Sequence, residues 1–305
     1  MIKSYKILKS GLKRIETGSA NWVHLDQGKL MDYDSVSKYK IKKADFKAAI
    51  DKYERARILR RENYIMIILN LPSSETNVSM GIYLFKDKII TIHEKSCKFL
   101  TSIINHPENI SSVNTLFIRL IKEVTNTYIK RINELEDQIL NLEEKVNKST
   151  SKKNLNNIFK LRKQLVFMIK GIAGNRDVIT NIQNTSRIIA LNKMQTIELN
   201  ELHTEHMQIY DTMTIFREIL SNSLEIYNSN LSIEMNRIIQ RLTIVGSFIL
   251  LPTLIASIYG MNFRPEASIY NMPELTWKYG YLFSLLLMLI SVFATYTYLK
   301  KKKLF

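Results

Sequence analysis

The sequence predicts an α/β cytoplasmic domain followed by a long α-helical stalk that continues into the first of two transmembrane helices. Three observations lead there. Leu242 to Asn262 and Tyr279 to Leu299 are each 21 residues long without a charge. No proline stands between Pro107 and Pro252, and no glycine between Gly174 and Gly246. The first hundred residues instead alternate short β-branched or aromatic runs with polar turns.

In the N-terminal part, Trp22 to Leu25, Tyr64 to Leu71, Val78 to Phe85 and Lys88 to His93 read as strands, with turn formers such as Pro72-Ser73-Ser74 and Lys86-Asp87 between them. Ala44 to Arg55 and Glu94 to Ile104 read as helices. This predicts a domain over residues 1–110. Residues 111–241 should be helical throughout, since the chain there lacks breakers. Ile132, Leu135, Ile139, Leu142 and Val146 keep the spacing of a packed helix seam. Ile158, Leu161, Leu165, Met168 and Ile172 repeat it after the polar turn Lys148 to Asn154, implying two antiparallel helices. Then Met213, Phe216, Leu220, Leu224, Tyr227, Leu231, Met235, Ile238 and Leu242 keep an eleven-residue repeat close to the natural helical period. A single helix from about Ile197 to Ile258, roughly 90 Å long, is expected. Its apolar face calls for copies of itself around a symmetry axis.

An uncharged run of 21 residues spans about 30 Å as a helix, the thickness of a bilayer's hydrocarbon core. The predicted spans are 242–262 and 279–299, joined by an extracytoplasmic loop over 263–278. Arg237 and Arg241 precede the first span, and the basic tail Lys300 to Lys303 of residues 300–305 comes after the second. The loop balances Arg264 and Lys278 against Glu266 and Glu274, so both termini are expected in the cytoplasm of an inner-membrane protein. The N-terminus fits this, because Lys3, Lys6, Lys9, Lys13 and Arg14 precede no apolar run of the kind a secretory signal carries. Trp277, Tyr279 and Tyr281 stand where interfacial anchors belong.

The formal net charge of +16 suggests a polyanionic partner, but no zinc-knuckle, aromatic RNA-binding or helix-turn-helix pattern accompanies it, so nucleic acid is not expected. A single cysteine, Cys97, excludes a disulfide framework and a cysteine-rich zinc module. No phosphate-binding loop or nucleophile arrangement is present, so neither an enzyme nor a prosthetic group is expected. In His203-Thr204-Glu205-His206 the histidines are three apart rather than four, which favours a solvated helix face over a metal site.

Within the first span, Thr243, Gly246, Leu250, Thr253 and Ser257 share one stripe. Lining an axial pore and close packing of small residues explain this spacing equally well. The residues at the end of the span distinguish the two. Tyr259-Gly260-Met261-Asn262, then Met272-Pro273-Glu274-Leu275 before the second span, resembles the CorA family of magnesium channels, whose signature is the GMN tripeptide ending the first of two C-terminal spans. The likeness runs over about the last 100 residues, through Phe216-Arg217-Glu218 and Leu224-Glu225-Ile226-Tyr227.

The resemblance implies a homopentameric funnel in the lipid bilayer that carries divalent cations: Mg²⁺, with Co²⁺ and Ni²⁺ as further candidates. Gly260, Met261 and Asn262 would form the selectivity filter, with Asn262 holding the hydrated Mg²⁺ through its waters. Asn236, Thr253 and Ser257 would line the pore. Ile239, Leu242 and Leu250 would form the hydrophobic gate. Mg²⁺ is then the transported substrate and also a regulatory ligand, for which Glu201 and Glu225 are the candidate acids. Ser257 stands where the family usually has glycine, and the link from Arg264 to Asn271 is longer than usual. A zinc transporter of the same superfamily and a non-conducting helical scaffold are the competing readings.

Overall fold

The computed structural model describes residues 2–302 apart from 9, 10, 17, 18, 74–77, 95–97, 106, 108, 109, 185–188, 263 and 269. Cys97 and Lys303 therefore lie outside the described residues. The chain divides into two compact units, Met1–Tyr227 and Asn228–Phe305.

The first unit is built on one sheet. Among the described residues its strands are β1 (Ile2–Leu8), β2 (Gly11–Ile15), β3 (Trp22–Leu25), β4 (Arg57–Arg60), β5 (Ile65–Leu71), β6 (Val78–Leu84) and β7 (Ile89–His93), in the order β2-β1-β3-β7-β6-β5-β4. Every pairing is antiparallel except β3 with β7, which joins the two antiparallel halves in parallel. The four expected strands are present. The sequence pattern does not reveal β1, β2 and β4: they are rich in Lys and Arg, and most of their residues are half-buried or exposed. Two of them are sheet edges, where charge guards against further strand addition.

Two helices, α1 (Tyr33–Ser37) and α2 (Lys43–Ala49), pack with Val23, Met66, Ile68, Ile90 and Ile92 on one sheet face. The expected helix Ala44 to Arg55 is thus corrected to a shorter one. It stops because Asp51 turns the chain, its side chain accepting from the backbone N–H of Tyr53 at 2.9 Å. Gly81 of β6 is required there, since a Cβ would collide with Ala49.

The other face carries α3 (Lys98–Asn105), α4 (Val113–Lys148) and α5 (Lys152–Asn184). Both expected seams are buried, with Leu135, Val146, Ile158, Leu165, Met168 and Ile172 sealed from solvent. Ser112 caps α4 by accepting from the N–H of Thr115 at 3.1 Å. Asn175 of α5 meets β5 edge-on. Its side chain accepts from the N–H of Asn70 and donates to the carbonyl of Asn70, both at 2.8 Å, while Tyr128 of α4 donates to the same carbonyl at 3.1 Å.

Helix α6 runs from Lys193 to Tyr259, 67 residues or about 100 Å of contour, unbroken at Pro252. It begins in a capping box: Asn192 accepts from the N–H of Gln195, and Gln195 accepts from the N–H of Asn192. Within the first unit its Leu199, Leu202, Ile209, Met213, Phe216, Leu220 and Tyr227 join the core of α4 and α5.

The second unit holds the rest of α6, two short 3₁₀ turns (Pro265–Ala267 and Pro273–Thr276) and α7 (Gly280–Lys301). Both α6 and α7 contain apolar stretches long enough to cross a membrane.

Candidate functional site

The second half of α6 has two unlike faces. On a helix turning about 100° per residue, Asn236, Ile239, Thr243, Gly246, Leu250, Thr253 and Ser257 fall within an arc of about 100°. All seven are exposed. Ile244, Ser247, Phe248, Pro252, Ile255 and Tyr259 are half-buried and centre roughly 140° away. A groove between the two helices is lined by Ser247, Leu250 and Leu251 from α6 and by Ala294, Thr295, Tyr298 and Leu299 from α7. The stripe therefore lies largely away from the half-buried residues of α6, although its Leu250 also lines the groove to α7. Leu242, 67% exposed, sits at the flank of the arc rather than inside it.

Two of the three hydroxyls on this stripe have a fixed polarity. Thr243 donates to the carbonyl of Ile239 at 2.9 Å, and Thr253 to that of Ile249 at 2.7 Å. Each proton is engaged with the preceding helical turn, which leaves the oxygen lone pairs outward. An outward-facing acceptor suits the protons of a hydrated cation's waters.

Helix α6 ends at Tyr259, where Gly260 and Met261 donate to the carbonyls of Ala256 and Ile258 at 2.9 and 3.1 Å. Gly260, Met261 and Asn262 come next, all exposed. Tyr259 donates to a carboxylate oxygen of Glu274 at 3.2 Å, tying the tyrosine before GMN to the glutamate of Met272-Pro273-Glu274-Leu275. The turn carrying Glu274 begins at Met272, in the left-handed region at φ 56°, and Pro273 supplies its first residue. Gly280 opens α7 against this turn, since a Cβ there would collide with the Glu274 carbonyl oxygen. Trp277 braces the junction edge-on against Phe283, ring centroids 6.0 Å apart.

These features find a match in known sequences. A sequence profile described as "CorA-like Mg2+ transporter protein" fits residues 17–301. The chain belongs to this family. The cobalt/magnesium transport protein CorA of Methanocaldococcus jannaschii is 27% identical over 271 residues, 86% of this chain and 84% of that protein. The complete structure of the CorA magnesium transporter from the same organism matches 98% of this chain and 97% of its own, with TM-score 0.84 at 23% identity. The ZntB cytoplasmic domain from Vibrio parahaemolyticus matches 75% of this chain and 97% of its own, with TM-score 0.63 at 12% identity, a likeness of fold alone. Membership of a CorA-like family makes this chain an ion transporter and not an enzyme.

Glu201 and Glu225 are both exposed on α6. One sequence expectation is overturned. His206 is fully buried rather than solvated, its Nδ1–H donating to the Leu202 carbonyl at 2.8 Å, and His203 is half-buried with Nε2 3.1 Å from the Thr180 hydroxyl. The helix face that looks polar in sequence packs against α5. Desolvation by burial holds the His206 imidazole down to about 4, so it is neutral near pH 7.

Sequence reasoning misses another cluster altogether. His24 of β3, Asp26 just beyond it and His93 at the end of β7 place their ligand atoms within 4.8 Å of one another. Residues 69 apart in sequence meet here through the parallel β3–β7 pairing.

Proposed function

We propose that this CorA-family chain forms a passive, homopentameric Mg²⁺ channel in the inner membrane, with spans at 242–262 and 279–299 and both termini cytoplasmic. The single observation that carries this reading is the exposed stripe from Asn236 to Ser257, which lies roughly opposite the half-buried residues of α6 and leads up to GMN. Exposed in a single chain, it becomes the lining of an axis when copies assemble.

Mg²⁺ sheds its water reluctantly and prefers octahedral oxygen coordination. A ring of Asn262 amide oxygens, beside Gly260 and Met261, would accept hydrogen bonds from the waters of the hexahydrated ion without stripping them. Thr253 and Ser257 would pass it along outward-facing oxygens, and Asn236 would receive it at the inner mouth. Ile239, Leu242 and Leu250 would close the path by excluding water. The membrane potential suffices as driving force, because a divalent ion moving inward gains about 4.6 kcal/mol per 100 mV. Cytoplasmic Mg²⁺ binding at Glu201 and Glu225, between copies, would close the channel as the cell fills.

The test is ion uptake into proteoliposomes under an inside-negative potential, together with the particle mass in detergent. Mg²⁺ uptake by a five-copy particle, lost in Asn262→Ala, supports the reading. A monomer or dimer removes the axial pore. Zn²⁺ uptake that Mg²⁺ neither shares nor blocks at millimolar concentration would assign the chain to zinc transport. Absence of any flux from a well-assembled particle would leave a scaffold.

A further inference from the structure

The His24–Asp26–His93 cluster lies in the sheet of the first unit and has no part in the proposed pore. It is built by the alternation of two strands. In β3, Trp22 and His24 alternate onto one side, with Asp26 in the turn just beyond, and in β7, Thr91 and His93 do the same. The parallel register sets His24 against Thr91 and Leu25 against Ile92, so His93 falls one step further along, beside Asp26. The turn after β3 is pinned at the same place: Gly28 donates its N–H to the carbonyl of His93 at 2.9 Å, and Gln27 adopts a left-handed φ of 55°. That turn brings the Asp26 carboxylate within 3.8 Å of His93 Nε2.

The two Nε2 atoms are 3.4 Å apart, and the rings stack with centroids 5.0 Å apart. Two nitrogens bound at about 2.0–2.1 Å in a tetrahedral zinc-type site are separated by about 3.4 Å. The Asp26 oxygen sits wider than that spacing, at 3.8 Å from His93 Nε2, on a side chain that is partly exposed. Outer-shell support is present as well. Thr91 Oγ1 lies 2.9 Å from His24 Nδ1 and accepts from Trp22 Nε1 at 3.0 Å. With Nδ1–H donating to Thr91, the lone pair of His24 Nε2 faces His93, which is how a ligating imidazole is usually oriented.

We propose that His24, His93 and Asp26 form a binding site for a divalent transition metal of the Zn²⁺, Co²⁺ or Ni²⁺ class, with water completing the coordination. Two buried imidazoles and one carboxylate suit such borderline ions, whereas Mg²⁺ asks for oxygen alone. Lys3, paired with His24 across β1 and β3, places a positive charge nearby, which the Asp26 carboxylate offsets. A bound ion would clasp β3 to β7, the one parallel junction between the two halves of the sheet.

The experiment uses the full-length protein in detergent, stripped with EDTA and carrying Asn262→Ala to silence the proposed pore. Co²⁺ is titrated with Mg²⁺ in millimolar excess. One equivalent per chain should bind, with the strong visible bands of low-coordinate, nitrogen-ligated Co²⁺ rather than the faint bands of the hydrated ion. Loss of outer-shell partners alone costs metal sites about 10–100-fold in affinity, so removing a ligand in His93→Gln should cost more than about 100-fold. Asp26→Asn, on a partly exposed side chain, should weaken binding by more than about tenfold and keeps the test valid if His93→Gln misfolds. His203→Gln should leave the bands unchanged. Absence of the bands, their persistence at equal affinity in Asp26→Asn or folded His93→Gln, or displacement of Co²⁺ by equimolar Mg²⁺ would overturn the assignment.

Discussion

On α6, Met213, Phe216, Leu220 and Tyr227 are at most 7% exposed, whereas Leu231, Met235, Ile238 and Leu242, continuing the same 3-4 spacing, are 40 to 67% exposed. One helix with one repeat thus meets two environments. Up to Tyr227 the seam is covered by α4 and α5 of its own chain; beyond Asn228 the described residues offer no such cover. A soluble monomer rarely leaves a contiguous apolar surface of that extent. The periodicity therefore reports that a surface is to be buried, and not by what. In the first unit the answer is intramolecular; in the second it is proposed to be lipid on one side and further copies on the other.

This contrast predicts that substitutions in the second unit act on transport and assembly, and those in the first on folding. Asn262→Ala should show the largest effect. If each of five copies loses one hydrogen bond to the hydrated ion, at about 1 kcal/mol each, Mg²⁺ uptake falls by more than about 100-fold. The thermal unfolding of the first unit should not move.

Leu165→Ala should cost about 3 kcal/mol, because it empties a sealed position between α4 and α5. Denaturant unfolding followed by circular dichroism measures it. Asn175→Leu leaves the buried N–H of Asn70 without its acceptor and should cost about 2 kcal/mol by the same assay.

Acid provides a comparable perturbation without mutation. The unfolded chain protonates His206 near pH 6.5, but the folded chain resists until about 4. Stability is therefore fully present above about pH 6.5 and is lost as pH falls toward 4, by about 2 kcal/mol at pH 5 from this residue. His206→Gln should flatten that part of the pH–stability curve.

The smallest effect sharpens the comparison most. Leu250→Ala, at a position 68% exposed, should change unfolding of the first unit by less than about 0.5 kcal/mol while altering the Mg²⁺ conductance of the assembled particle. A loss of several kcal/mol in the first unit would show that the two regions are not separable in this way.

Legibility in the sequence tracks the range of the interactions. The seams of α4 and α5 are visible because helical contacts repeat every three or four residues. The apolar spacing puts the start of α6 at Ile197, four residues late, although Asn192 and Gln195 spell a capping box that marks it. Strands β1, β2 and β4 escape notice because their lysines and arginines hide the alternation that a half-buried strand usually displays. His206 reads as solvated because its neighbours Thr204 and Glu205 are polar, whereas burial depends on which face α5 covers.

By itself, the sequence determined the two apolar spans, the breaker-free helices and the GMN end of the first span, since each is written in consecutive residues or at helical spacing. Tertiary structure alone decided which face of α6 turns toward α7, that Tyr259 reaches Glu274, and that His24 and His93 meet. Those outcomes depend on the pairing of distant segments. No local period encodes such pairing, because the register between two strands is set by the packing of the whole sheet.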